Sequence, residues 1–272
     1  MSDDMLAAMV DFINGSERIF LLTGAGVSTG SGIPDYRDSD GEWKHKKPVD
    51  FRDFIDKPST RKRYWARSTL GWQWFSKAQP NDAHKAIARL EQCDKWSITV
   101  TQNVDGLHQR AGSQSVIDLH GRNDRVTCMA CDAKLDRESF QTELIACNPQ
   151  LADIVAAPAP DGDAVLEDFD FSRVSIPECH LCGGMQKPDV VFFGETVPVE
   201  RIQAALDALN NSDAMLVVGS SLMVYSGYRF ALKAKDAGIP VAAINLGKTR
   251  ADDVLFDKFN IDCVSALRGF LG

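Results

Sequence analysis

The feature that most constrains this fold is a recurring unit: a short apolar run, a glycine or polar cluster at its end, then a helix-like stretch. Ile19 to Thr23 runs into Gly24, Ala25 and Gly26, and Ser97 to Thr101 into Gln102, Asn103, Val104 and Asp105. Val116 to Leu119 runs into His120 and Gly121, Ala214 to Val218 into Gly219, Ser220 and Ser221, and Val241 to Ile244 into Asn245, Leu246 and Gly247. Val190 to Phe193 and Asp262 to Val264 read as two further strands. Helical patterns cover Met5 to Ile13, Ala83 to Gln92, Glu200 to Leu209 and Tyr228 to Asp236. Alternating strands and helices predict an α/β fold with a doubly wound parallel sheet. In such sheets ligands bind beyond the carboxyl ends of the strands, where the polar and glycine clusters fall. Two segments interrupt the alternation: a basic, aromatic stretch over 39–75 and a cysteine-bearing stretch over 128–182.

Composition narrows the function classes. The chain has 272 residues, 44% hydrophobic and 25% charged, in the range of a globular protein that buries its own core. Its formal net charge of -8 argues against a general nucleic-acid binder, which carries a basic excess. No apolar run reaches the ~18 residues a membrane helix needs. The acidic start, Met1-Ser2-Asp3-Asp4, lacks the basic and apolar features of a targeting segment, so a cytoplasmic location is expected. Four of the seven cysteines form two Cys-x-x-Cys pairs, which in a reducing compartment suggest metal or redox chemistry before disulfides.

The pairs are Cys128/Cys131 and Cys179/Cys182, with 47 residues between them. Two such pairs complete a tetrahedral four-thiolate shell, the form of a structural zinc site with no open position for catalysis. The competing readings are buried free thiols or a redox pair; a redox pair should open a helix after a strand, and neither does so clearly. Gly24, Ala25 and Gly26 suit a turn whose backbone approaches a pyrophosphate, although the dinucleotide fingerprint fails where its third glycine should stand, at Thr29. A ligand-free turn has the same sequence. His120, at a strand end, has the right intrinsic pKa for acid–base work, and a structural histidine is the alternative. Asn103 and Asp105 suit ribose or amide contacts, or simply cap the next turn. Ser220 and Ser221 lack the Gly-x-Ser-x-Gly context of a hydrolase elbow.

Taken in order, Gly24-Ala-Gly-Val-Ser28, Gly32-Ile-Pro-Asp-Tyr-Arg37, Thr101-Gln-Asn-Val-Asp105, Leu119-His-Gly121, the cysteine pairs, Lys187-Pro-Asp-Val-Val-Phe-Phe-Gly-Glu195, Gly219-Ser-Ser221 and Asn245-Leu-Gly247 resemble the sirtuin family. Finer features resemble its class II branch, to which the mitochondrial sirtuin four belongs: Tyr36, Arg63-Tyr-Trp-Ala-Arg67, Ala159-Pro-Asp-Gly-Asp163 and Tyr225-Ser-Gly-Tyr-Arg229.

The resemblance implies an NAD-dependent protein-lysine deacylase. It implies a Rossmann-type NAD-binding domain over 1–38, 76–127 and 185–272. A small domain would combine a helical module (39–75) with a zinc-ribbon module (128–184). Ala25, Gly26 and Ser28, with Gly24, would line the phosphate and ribose path. Ile33, Asp35, Tyr36 and Arg37 would form a mobile loop over NAD. Asp35, Gln102, Asn103, Val104 and Asp105 would surround the nicotinamide and its ribose. Gly219, Ser220, Ser221, Asn245, Leu246, Gly247 and Cys263 would hold the adenosine half. Cys128, Cys131, Cys179 and Cys182 would bind one structural Zn2+. Catalysis would rest on His120, Asn103 and Asp105. The substrate's acyl oxygen attacks the nicotinamide ribose, nicotinamide leaves, and His120 activates a ribose hydroxyl toward the resulting imidate. The products are free lysine and O-acyl-ADP-ribose.

Val191, Phe192, Phe193, Gly194 and Glu195 would take the acyl-lysine peptide by strand addition. Tyr64 and Arg67 have the spacing with which class III sirtuins grip a carboxylate, which implies a preference for longer or acidic acyl groups. Mono-ADP-ribosyl transfer and a non-catalytic zinc-bearing NAD sensor are the alternative functions. A monomer acting on acylated protein lysines, without nucleic acid or membrane, is expected. Residues 132–178 carry 11 acidic and 3 basic side chains, the whole of the net charge. A loop from this insertion, with Asp161, Asp163, Glu167, Asp168 and Asp170, is expected to approach the acyl site and steer basic substrates.

Overall fold

A computed structural model describes residues 3–44, 47–166 and 168–271. In chain order its strands are β1 (Ile19–Thr23), β2 (Trp96–Thr101), β3 (Val116–Asp118), β4 (Gly121–Cys128), β5 (Lys134–Asp136), β6 (Ala157–Ala159), β7 (Asp163–Val165), β8 (Gln186–Val190), β9 (Ala214–Val218), β10 (Val241–Ile244) and β11 (Asp257–Phe259). The α-helices are α1 (Asp3–Gly15), α2 (Phe51–Asp56), α3 (Pro58–Phe75), α4 (Asp82–Gln92), α5 (Leu107–Ala111), α6 (Arg137–Cys147), α7 (Val199–Asn210), α8 (Tyr225–Asp236) and α9 (Cys263–Leu267).

The main sheet has six parallel strands in the order β11-β10-β9-β1-β2-β3. All five residues of β1 are buried, as are those of β9. That is why these strands read as unbroken apolar runs: helices cover both faces. Alternate side chains feed opposite cores. Ile19, Leu21, Leu216, Val218, Ala242 and Ile244 pack with α1, α4 and α9 on one face. Phe20, Leu22, Met215, Val217, Val241 and Ala243 pack with α7 and α8 on the other. The expected doubly wound sheet is therefore present. From β1 the chain builds outward through β2 and β3, then crosses to β9, β10 and β11 on β1's other edge. The switch point lies between β1 and β9, where the carboxyl ends open a crevice.

A smaller module combines the sheet β5-β4-β8, antiparallel throughout, with α2, α3 and α6. Its core is aromatic: Trp65 lies with its ring centroid 4.7 Å from that of Phe140, and Phe54 5.1 Å from Phe192. Arg137 is fully buried there, 5.4 and 5.0 Å from the rings of Trp65 and Trp72, and donates to Gln141 (2.7 Å) and to the Ser68 carbonyl (3.2 Å).

Two expectations are corrected. The apolar run Val190 to Phe193 is not a strand of the main sheet. The strand is β8, paired with β4 in the small sheet; after Val190 the Glu195 carboxylate accepts from the Phe192 N–H (2.8 Å) and Gly194, at φ 80°, turns the chain. Asp262 to Val264 is not a strand either. The Asp262 carboxylate accepts from Ser265 N–H at 2.9 Å and caps α9, while the edge strand is β11. The acidic insertion packs on the small module, with Gly162 against Phe75 and Asn123. The β6–β7 hairpin lies on α3, so closely that the Gly162 carbonyl leaves no room for a Cβ on Gly71. Leu151, Ala164 and Val174 bury against Ala66 and Leu70 of that helix. Apolar packing and the Arg67–Asp163 ion pair at 2.7 Å hold the insertion there. Glu167 and the Asp161 side chain lie outside the described residues. Among the described residues no helix is long and apolar enough to cross a membrane.

Candidate active site

A cleft of about 710 Å³ opens at the switch point, a size that suits enclosure of a small-molecule ligand. One wall is the β1 turn. A Cβ on Gly24 would lie 2.7 Å from Ser220 Cβ, and one on Gly26 2.9 Å from Gly219 Cα. Gly24 N–H donates to Val218 O at 3.0 Å and Gly26 N–H to Gly219 O at 2.8 Å. The two glycines thus let the loops after β1 and β9 touch, which brings both sets of strand ends to one ligand. Leu222, buried in the β9 loop, adopts φ 54°, strain of roughly 1–3 kcal/mol that its packing holds in place.

Behind the cleft a polar network fixes the β1 and β2 loops. Asn103 Nδ2 donates to Gly24 O and to Ser28 Oγ, both at 3.0 Å. Ser28 Oγ donates to Asp105 Oδ2 at 2.7 Å, and the other Asp105 oxygen accepts from Leu107 N–H at 2.8 Å. Burial raises the Asp105 carboxyl above its usual value, and the bonds from Ser28 and Leu107 work the other way. His84 and His108 lie beside this network with ring centroids 5.0 Å apart. Burial lowers both pKa values, that of His108 to about 4, so both rings are neutral near pH 7.

His120 follows β3 and reaches the cleft. Its Nδ1 is 2.9 Å from the Gln102 carbonyl and its Nε2 is 2.7 Å from Ser226 Oγ, in the first turn of α8. Desolvation lowers its pKa to about 4, the Gln102 carbonyl opposes this, and the Arg201 charge adds to it. The ring is therefore a neutral base at physiological pH.

Of the residues expected around a dinucleotide, Gly24, Ala25, Gly26, Asp35, Tyr36, Arg37, Gln102, Asn103, Val104, Gly219, Ser220, Ser221, Asn245 and Leu246 line the cleft. Ser28, Ile33, Asp105, Gly247 and Cys263 are not among the lining residues, although each lies in the same loops or packs against them. Ile33 packs with Trp72, Phe75 and Val104, and Cys263 Sγ lies 3.0 Å from where a Gly219 Cβ would be. Asn245 stands at the end of β10 and lines the cleft, its Nδ2 donating to Leu246 O at 2.9 Å. The residues present fit NAD in cleft size and in the strand ends that supply its walls.

Val191 to Glu195 form the opposite wall, as a turn. Val191 N–H donates to His120 O (2.8 Å), and Phe193 O accepts from Phe51 N–H (2.8 Å). Tyr36, Trp43 and Phe193 close the mouth, with ring centroids 5.5–6.3 Å apart. Tyr64 and Arg67 are not brought to the cleft: Tyr64 packs against Phe54 and Phe192, and Arg67 is engaged by Asp163 and by Ala164 O (2.8 Å). Sequence reasoning missed Ser226, Arg229, Val199, Ile202 and Trp43 as lining residues. Ser226 did carry a signal, since serine near a helix start just after a strand-end loop is commonly bonded to something polar.

The four paired cysteines converge, with all four Sγ atoms within 4.8 Å of one another. The Cys128–Cys182 and Cys131–Cys179 separations are 3.5 and 3.8 Å, close to the ~3.8 Å edge of a tetrahedron with ~2.3 Å zinc–sulfur bonds. The two knuckles are alike. Cys128 N–H donates to Ala133 O and Cys179 N–H to Gly184 O, both at 2.9 Å, around left-handed Asp132 (φ 58°) and Gly183 (φ 70°). The residues fit one structural zinc ion.

Comparison with known proteins agrees with this geometry. The Sir2 family model matches residues 24–226. An NAD-dependent protein deacetylase of Bordetella bronchiseptica is 58% identical, over 98% of this chain and 97% of its own length. The NAD-dependent protein deacylase Sirt4 of Drosophila melanogaster is 43% identical, over 96% of this chain and 85% of its own. A solved Sir2–p53 peptide–NAD+ structure superposes with a TM-score of 0.76 at 31% identity, over 98% of this chain and 97% of that one. With its switch-point cleft, four-cysteine cluster and family match over most of its length, this chain belongs to the Sir2 family, the sirtuins.

Proposed function

We propose that this protein is an NAD-dependent protein-lysine deacylase in which His120 is the general base. The observation that carries the reading is the placement of a neutral imidazole, anchored through Nδ1, in a cleft walled by the strand-end loops expected to hold NAD. NAD supplies the leaving nicotinamide and the ribose that accepts the acyl group. The chain's residues do the rest. Gly24 to Gly26 and Gly219 to Ser221 enclose the phosphates, and Asn103 holds the β1 and β2 loops in register. The aromatic mouth excludes water from the reacting centre. The Val191 to Glu195 wall receives the peptide. The division into 1–38, 76–127 and 185–272 against 39–75 and 128–184 is kept for the helices and the main sheet, while β4 and β8, on the Rossmann side of those bounds, join the small sheet. A cytoplasmic monomer acting on acylated lysines of proteins completes the proposal.

The test is an acyl-peptide panel with purified protein and NAD, scored for nicotinamide and free lysine, beside His120→Ala. Turnover that needs NAD and falls by at least 100-fold in the variant is expected. Modification of protein side chains without lysine release would favour mono-ADP-ribosyl transfer. Absence of nicotinamide release from every peptide would favour an NAD sensor.

A further inference from the structure

The deacylation step needs a lone pair on His120, and the structure shows that lone pair already engaged. A carbonyl oxygen only accepts hydrogen bonds, so the 2.9 Å contact to Gln102 O puts the single imidazole proton on Nδ1. Nε2 is then a bare acceptor. The 2.7 Å contact to Ser226 Oγ therefore has the serine hydroxyl as donor. Ser226 lines the cleft, and its oxygen keeps acceptor capacity on the side away from the imidazole. Its position is fixed by the start of α8, where Gly227 N–H and Tyr228 N–H both donate to Val224 O at 3.2 Å. Gly227 also abuts the Gln102 side chain: a Cβ on this glycine would lie only 2.6 Å from Gln102 Nε2. The helix start and the loop that anchors His120 are therefore one packed unit.

We propose that Ser226 is a proton relay between the ribose hydroxyl and His120. The proton leaves the ribose hydroxyl for Ser226 Oγ as the Ser226 hydroxyl proton passes to His120 Nε2. The O–H bonds of the ribose and of Ser226 break, and a new Ser226 O–H and an N–H on Nε2 form. Ser226 ends neutral, the ring becomes imidazolium, and the ribose oxygen becomes the nucleophile. The Gln102 carbonyl keeps the ring in the tautomer that accepts at Nε2 and stabilises the cation through Nδ1–H.

This inference rests on the deacylase reading. Inert wild-type protein would defeat that reading before any variant is compared. The test compares wild type, Ser226→Ala and Ser226→Thr in three measurements: kcat/KM for deacylation, the rate of exchange of labelled nicotinamide into NAD, and the proton inventory of deacylation in mixed light and heavy water. Exchange reports the step before the base acts. The relay predicts that Ser226→Ala lowers the ratio of deacylation to exchange by about 100-fold. Ser226→Thr, which keeps the hydroxyl, recovers most of that ratio. The inventory is curved in wild type, with two protons in flight, and linear in Ser226→Ala. An unchanged or raised ratio in Ser226→Ala would make the serine a cap that competes for the lone pair. Equal loss of both rates would make it merely structural. Deacylation by wild type without NAD, lost in Ser226→Ala, would make it a nucleophile. Each of these results overturns the relay.

Discussion

Lys187 and Glu195 form a nearly buried ion pair, Nζ to Oε2 at 3.1 Å, with side chains 7% and 19% exposed. The same carboxylate oxygen accepts from Phe192 N–H, so the pair ties β8 to the turn that walls the cleft. Removing one partner strands the other charge away from water. Glu195→Ala is expected to cost about 3–5 kcal/mol in urea unfolding. Where enough protein stays folded, KM for the acyl peptide should rise more than KM for NAD. An equal rise in both would detach this wall from the peptide.

The cysteine cluster predicts one zinc per chain by metal analysis, lost in Cys182→Ser. Because four thiolates leave no open position, cobalt substitution should give a tetrahedral spectrum and retain activity. Chelation should unfold the β4–β5–β8 module and remove activity with it. Activity that survives complete metal loss with the fold intact would contradict a structural role.

Histidine titration sets the acid limit of stability. His84, His108 and His120 all have folded pKa values below the ordinary 6.5, so unfolding takes up protons as pH falls. Their contribution is complete above about pH 6.5 and is lost as pH drops toward about 4. The loss is about 1.4 kcal/mol per pH unit for each proton taken up. Urea unfolding between pH 7 and pH 5 should show this slope, reduced by one proton in His108→Gln. A flat profile would mean that these rings are charged in the fold.

Arg67 makes two contacts to the β6–β7 hairpin, and its environment predicts a structural effect. Arg67→Ala should lower the melting temperature and leave the ranking of acetyl-, glutaryl- and methylglutaryl-lysine peptides unchanged. A selective loss of the acidic acyl substrates would instead show that Arg67 leaves Asp163 for a substrate carboxylate.

How much was legible follows from burial. Ile19–Thr23, Ala214–Val218 and Val241–Ile244 stand where the apolar runs put them, because strands covered on both faces must be apolar throughout. β4 (Gly-Arg-Asn-Asp-Arg-Val-Thr-Cys) was unreadable: buried positions alternate only partly, and its polar residues are satisfied locally, as Arg122 is by Asp124. Val190 to Phe193 misled because its apolar side chains serve three places, Val190 and Phe192 the small core, Val191 the main core and Phe193 the aromatic mouth, while the strand itself carries Lys187 and Pro188. Strand-end clusters named most of the cleft lining. Ser226 and Arg229 were missed because only the packing of α8 against the β2 loop turns them toward the cleft. Ser28 and Asp105 had the right loops, but which side of a loop a residue faces depends on contacts such as Asn103 to Ser28, set by packing across the sheet.

The most direct test of the central claim is product stoichiometry in a single reaction of protein, NAD and an acetyl-lysine peptide, followed by mass spectrometry. The account predicts nicotinamide, deacetylated peptide and O-acetyl-ADP-ribose in equal amounts, with multiple turnover lost in His120→Ala. Deacetylated peptide with free acetate and intact NAD, or nicotinamide release without free lysine, would contradict it.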